Sequence, residues 1–142
     1  MKRAILILSA IFLTFWTVAS AQDNQKEPPS PEEMAATTAD KLGQELGLEG
    51  WQIFFVDSTL QHNYRAMQDK FDEFNAAKVT NYSLYQEVQD KWNERTDSTF
   101  RTFMTDEQYA KYLKQGAGKQ QKMRAKRREK ALKAAQAIKK EK

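Results

Sequence analysis

The sequence predicts an all-α protein of three to four helices followed by a basic C-terminal helical tail, and three observations carry that expectation. Apolar residues recur every three or four positions through 53–74 and again through 84–103, which places each set on one face of a helix. Helix-start signals precede these runs. No stretch alternates apolar and polar residues as a half-buried strand would.

The chain of 142 residues opens on Lys2 and Arg3, runs through apolar Ala4–Val18 and reaches Ala19-Ser20-Ala21. These are the charged, apolar and small-residue parts of a secretory signal peptide. The apolar run of about 15 residues is shorter than the ~20 that span a bilayer, so cleavage after Ala21 and export are expected rather than a membrane anchor. With no Cys in the chain, there is no acyl attachment point, disulfide or thiolate metal site. The 121 residues after Ala21 suffice for one core, and packing must hold it.

Residues 22–30 are polar, contain Pro28-Pro29, and are expected to form a flexible leader. A helical domain over 31–118 follows. Ser30 suits an N-cap, Pro31 the first helical position where no amide hydrogen is needed, and Glu33 the return bond to the cap. Met34, Leu42 and Leu46, with Ala35 and Ala39 between, make a thin apolar stripe, and Gly47 is placed to end this first helix.

The second helix is the clearest. Ile53, Val56, Leu60, Tyr64, Met67, Phe71 and Phe74 fall within about 80° on a helical wheel, with Asp57, His62, Asp69 and Glu73 off the stripe. Trp51 and Phe55 lie nearly opposite that stripe and Phe54 off its flank. Either another helix covers this end or an aromatic patch is exposed, so Trp51, Phe54 and Phe55 are the candidate surface for a client protein or a dimer partner.

Thr80 and Asn81 can cap a third helix from about Ser83 to Phe103. Its stripe is Leu84, Tyr85, Val88, Trp92, Phe100 and Phe103. Thr96 and Thr99 interrupt the stripe, which suggests looser packing there, while Glu87, Asp90, Glu94, Asp97 and Arg101 point away. A fourth helix begins at Thr105 and carries Tyr109, Tyr112 and Leu113 to Gly116-Ala117-Gly118, where a kink or fray is expected because each glycine costs about 1 kcal/mol against Ala. Residues 119–142 are Ala- and Lys-rich, helical or disordered, with Met123, Leu132 and Ile138 almost their only large apolar groups.

Charge divides the chain. Residues 22–110 hold eight Lys and Arg against seventeen Asp and Glu, a balance of −9, and residues 111–142 hold thirteen against two, a balance of +11. The basic tail could bind the protein's own acidic body, an anionic envelope surface such as lipid phosphate, or simply maintain solubility. Residues 119–142 have no aromatic residue for base stacking, and an exported protein rarely meets nucleic acid, so nucleic acid is not the expected partner.

No catalytic group stands out. His62 is the single His, no Cys is present, and no hydroxyl has a base placed beside it in sequence. No enzyme activity, cofactor or metal site is expected. One imidazole makes a weak zinc site, although a dimer could bring two copies of His62 together.

Met104-Thr105-Asp106-Glu107-Gln108 has the form of a capping box: Thr105 accepts from the amide three residues on, Gln108 reaches back, and Met104 can staple onto Tyr109. Leu48-Glu49-Gly50-Trp51-Gln52 repeats the frame, with Ile53 placed to meet Leu48. An apolar residue, Thr, two variable residues and Gln, twice at helix starts in a small exported helical protein, resembles the L-T-x-x-Q family of periplasmic proteins typified by Spy and CpxP. The resemblance covers roughly Leu42 to Leu113. It rests on Leu48, Gln52, Met104, Thr105 and Gln108, with Glu49 where the family has Thr and Met104 where it has Leu. It implies an extended, cradle-like antiparallel arrangement of long helices, a homodimer, and a periplasmic, ATP-independent chaperone that holds unfolded or partly folded proteins, or binds an envelope-stress sensor. The alternative expectation is an envelope structural or adaptor protein that docks through its basic tail and binds one specific partner.

Overall fold

The computed structural model describes residues 28–140, and the expected signal peptide and most of the leader lie outside the described residues. Within them the chain forms α1 (Pro31–Leu46), α2 (Gly50–Ala76), α3 (Tyr82–Phe103), α4 (Asp106–Tyr112) and α5 (Gly118–Lys140), the last two joined by a π-helical turn over Leu113–Ala117. No strand occurs among the described residues.

Local chemistry sets the helix ends. The Glu33 amide donates to Ser30 Oγ at 3.2 Å and the Ser30 amide to Glu33 Oε2 at 2.9 Å, closing a capping box with Pro31 just inside it. Gly47 ends α1 in the left-handed region at φ 65°, where a side chain would be strained. Three residues later, at Gly50, α2 begins. The Asn81 side chain accepts from the Ser83 amide at 3.0 Å and starts α3 one residue earlier than the periodicity predicts.

Pairs of contacts give the chain directions. Glu32 at the start of α1 pairs with Arg65, while Gly43 near its end lies against Ile53, so α1 and α2 run antiparallel. Phe71 stacks on Tyr85 and Phe55 on Phe103, so α2 and α3 do the same. The core lies where α1, α2 and the end of α3 converge: Ala35, Ala39, Leu42, Leu46, Leu48, Val56, Leu60, Phe100 and Met104. The stripe of α1 is thin because its contact with α2 is close. Ala35 and Ala39 are fully covered, and a Cβ at Gly43 would come within 2.7 Å of Ile53 Cδ1. Farther along α2 and α3, Met67, Phe71, Phe74, Tyr85 and Val88 are only half-buried, because two helices alone cannot enclose an apolar seam.

Two expectations need correction. Thr96 does not loosen α3: it is buried, accepts from Asn63 Nδ2 at 2.8 Å and donates to the Trp92 carbonyl at 3.0 Å. A satisfied polar contact inside the seam fixes the register of α2 against α3. Asp97 does not point to solvent. It is buried, accepting from the Tyr112 hydroxyl at 2.6 Å and from the Arg124 guanidinium, because α5 folds back along α3.

The Gly-Ala-Gly segment kinks as anticipated, without ending the helix. Gly116 takes φ 124°, a conformation open to glycine, and the chain widens through one π turn before α5 continues.

Candidate functional site

The two motifs expected only to cap their own helices are joined. Gln52 Oε1 accepts from the Glu49 amide at 2.9 Å, and Gln108 Oε1 accepts from the Thr105 amide at 3.0 Å. Gln52 Nε2 then donates to Gln108 Oε1 at 2.8 Å and to the Phe103 carbonyl at 3.0 Å. Gln108 Nε2 returns the pattern, donating to Gln52 Oε1 at 3.1 Å and to the Gly47 carbonyl at 3.1 Å. Phe103 and Gly47 each stand two residues before a cap, so the two arms are related by a local pseudo-twofold. Each amide side chain uses two donors and two acceptor positions, the full capacity of a Gln. That complete satisfaction is what allows Gln52 to be only 2 % exposed.

Leu48 and Met104, the apolar leads of the two motifs, are both buried in the core beneath this clamp. Thr105 Oγ accepts from the Gln108 amide at 3.2 Å. Glu49 uses its carboxylate differently: Oε2 accepts from the Trp51 indole at 2.6 Å. The residue that departs from Thr therefore holds an aromatic ring at the surface.

That ring belongs to a patch. Trp51 is 50 % exposed, Phe54 65 % and Phe55 48 %. Trp51 meets Phe55 edge-on at 6.1 Å, Phe54 meets Phe55 at 5.9 Å, and both Trp51 and Phe55 contact Phe103. Phe103 touches buried Phe100 at 5.8 Å, so the patch is the outer end of a continuous aromatic column that reaches the core. Of the two outcomes left open by the sequence, exposure is what the fold leaves. No other helix covers this end among the described residues, and the Gln clamp beneath it holds the first turn of α2 rigidly against the end of α3. Phe103 was legible only as a core residue; its role as the floor of the patch depends on α3 ending beside the start of α2.

A second cluster lies between α3 and α5. Asp97, Glu94 and Asp90 pair with Arg124, Arg128 and Arg127, the last pair bidentate at 2.6 and 2.7 Å. Burial works against the Asp90 carboxylate, but hydrogen bonds from Arg127 and Gln86 outweigh it and hold Asp90 below the usual carboxylate range. The same bond raises Arg127. Burial, then the hydrogen bond to Asp97, pushes the Tyr112 hydroxyl far above the ordinary tyrosine range. The signal for this cluster was present as acids at intervals of four and three on α3 and three arginines within five residues of the tail.

His62 is exposed and meets Trp92 edge-on at 5.9 Å. Among the described residues no group of three or more His, Cys, Asp and Glu is gathered to hold a metal ion, and no helix is long and apolar enough to cross a membrane.

The fold and these surfaces define an all-α protein with a rigid, solvent-facing aromatic patch. A scan against protein-family models, a search of curated proteins and a search of solved structures each find nothing that matches the chain.

Proposed function

We propose that this protein holds other polypeptides, in non-native or partly folded form, on the surface built from Trp51, Phe54 and Phe55, without nucleotide. The exposed aromatic patch is the observation that supports the reading. Three large rings about half or more in water, held on a clamped helix start, offer apolar area with little conformational entropy left to lose on contact. Contacts of this kind are weak and non-directional, so a bound chain can rearrange while held. The half-buried seam of Met67, Phe71, Phe74 and Val88 extends the apolar area along α2 and α3. In this reading the protein acts in the periplasm after signal-peptide removal, and a homodimer completes the cradle-like surface implied by the L-T-x-x-Q resemblance.

The test is light scattering from a heat-labile reporter protein, with the chain from Gln22 onward added at rising ratio and no nucleotide. Suppression of aggregation near equimolar amounts, lost when Trp51, Phe54 and Phe55 become Ser, supports the proposal. A folded protein that suppresses nothing overturns it.

One observation favours the adaptor alternative. Residues 129–139, beyond the last bridge at Arg128, are exposed throughout, so the distal half of α5 is open to a partner. Deleting 119–142 would then abolish partner binding while leaving the holding activity in place.

A further inference from the structure

The α3–α5 seam is unlike the other helix contacts in this fold. No α5 residue belongs to the apolar core, and Met123, Leu132 and Ile138 are all exposed. What joins the two helices is one face of guanidinium groups on one face of carboxylates: Arg124 on Asp97, Arg128 on Glu94 and Arg127 on Asp90. Open clefts of about 480 and 720 Å³ flank these bridges, the larger lying between Tyr82 and Gln86 on one side and Ala131 and Ala134 on the other. Helices that packed by side-chain interdigitation would leave no such space.

The bridges also grade in exposure. The Arg124 and Asp97 side chains are 9 and 10 % exposed, whereas those of Arg128 and Glu94 are 61 and 50 % exposed. Salt screens exposed pairs far more than buried ones, so the seam is weakest at Arg128 and Glu94, intermediate at Arg127 and Asp90, which are 35 and 21 % exposed, and strongest at Arg124 and Asp97 next to the π turn. That turn contains Gly116 at φ 124°, with open space where a Cβ would stand.

From this we infer that α5 is an arm latched by ion pairs, which peels from α3 toward the turn at Gly116 when a phosphate-bearing polymer competes for its arginines. The arm carries ten Lys and Arg against one Glu over 118–140 and no aromatic residue, so charge is what it offers a partner. Guanidinium forks donate to phosphate oxygens in the bidentate geometry in which Arg127 now holds Asp90. A polymer of phosphates engages several arginines at once, so it competes multivalently with the three tethered carboxylates of α3. Release bares the acidic face of α3 and frees the arm in one step. This device is distinct from the aromatic patch, which rests on Phe103 at the C-terminal end of α3, beyond the bridged positions 90–97.

The chain has no Cys, so Tyr82→Cys with Ala134→Cys gives a clean pair for fluorophores across the wider cleft. Energy transfer is read at about 0.1 M and about 1 M salt, where the screening length falls from ~10 to ~3 Å, and with inorganic polyphosphate at the lower salt. Near-UV circular dichroism follows the core in the same samples. The expected result is a clear loss of transfer in high salt and with polyphosphate while the aromatic signal persists. Asp90→Asn with Glu94→Gln should open the arm at low salt, whereas Asp40→Asn with Asp69→Asn, the same change in net charge away from the seam, should not. Transfer that stays constant until the aromatic signal collapses overturns the latch. Opening by salt but not by polyphosphate overturns the competition, and equal opening by both double variants overturns the assignment to these carboxylates.

Discussion

Gln52 and Gln108, 56 residues apart in sequence, donate to each other's side-chain oxygens at 2.8 and 3.1 Å while each also accepts from the amide of its own helix cap. The pair ties the start of α2 to the start of α4 with no apolar contact of its own. Its strength comes from completeness, because a buried amide group left unpaired costs more than a paired one contributes.

Gln52→Ala is therefore expected to destabilise the fold by about 3 kcal/mol, since it orphans the Glu49 amide and the Phe103 carbonyl and takes one of two partners from each end of Gln108. Gln108→Ala should cost a similar amount. The double variant should fall short of the sum by about 1–3 kcal/mol, the coupling expected within one network. Urea denaturation of the four proteins measures this directly, and additive losses would show that the two caps act separately.

Gly43 and Gly47 should respond to Ala for different reasons. At Gly43 the new methyl meets Ile53 Cδ1 at 2.7 Å, and the overpacking costs about 1–3 kcal/mol. Ile53→Val in that background should recover part of the loss. At Gly47 nothing lies within reach, but φ 65° strains any side chain by about 1 kcal/mol, which Ile53→Val cannot relieve. Thermal unfolding of the single and combined variants separates the two cases.

Replacing Trp51, Phe54 and Phe55 with Ser should leave the melting temperature nearly unchanged while abolishing aggregation suppression. Rings about half in water contribute little to folding. Loss of both together would assign the patch to the core instead.

Tyr112 links stability to alkaline pH. Its hydroxyl is held above its ordinary value of 10.0, first by burial and then by Asp97. Its contribution is complete below the unfolded value of about 10 and declines as pH rises beyond it, because the unfolded chain then loses the proton first. The stability difference between the wild type and Tyr112→Phe should be flat from pH 7 to about 9 and shrink above about 10. Asp90 has the opposite sign. Its lowered value contributes stability above the ordinary 3.8 that is lost as pH falls below it, and Asp90→Asn should remove that component of the acid transition.

The helices were legible because their signals are local. Ser30, Pro31 and Glu33 announce one start, Gly47 one stop, and seven apolar residues from Ile53 to Phe74 share one face whatever lies opposite. The cap roles of Gln52, Thr105 and Gln108 were legible for the same reason. Thr96 and Asp97 were not: a wheel gives the direction of a side chain but not its partner, so a polar residue facing Asn63 or Arg124 looks the same as one facing water.

Residue order over a few turns sufficed for the all-α class, the helix ends, the turn at Gly116 and the division into acidic body and basic arm. Those properties depend on backbone sterics, capping and charge within a short span. Tertiary structure decided that two capping glutamines meet, that Gly43 admits Ile53, that Trp51, Phe54 and Phe55 stay in water, and that the arginines of α5 find the carboxylates of α3. Each of these depends on which faces converge across dozens of residues, and the packing that selects them is a property of the assembled helices.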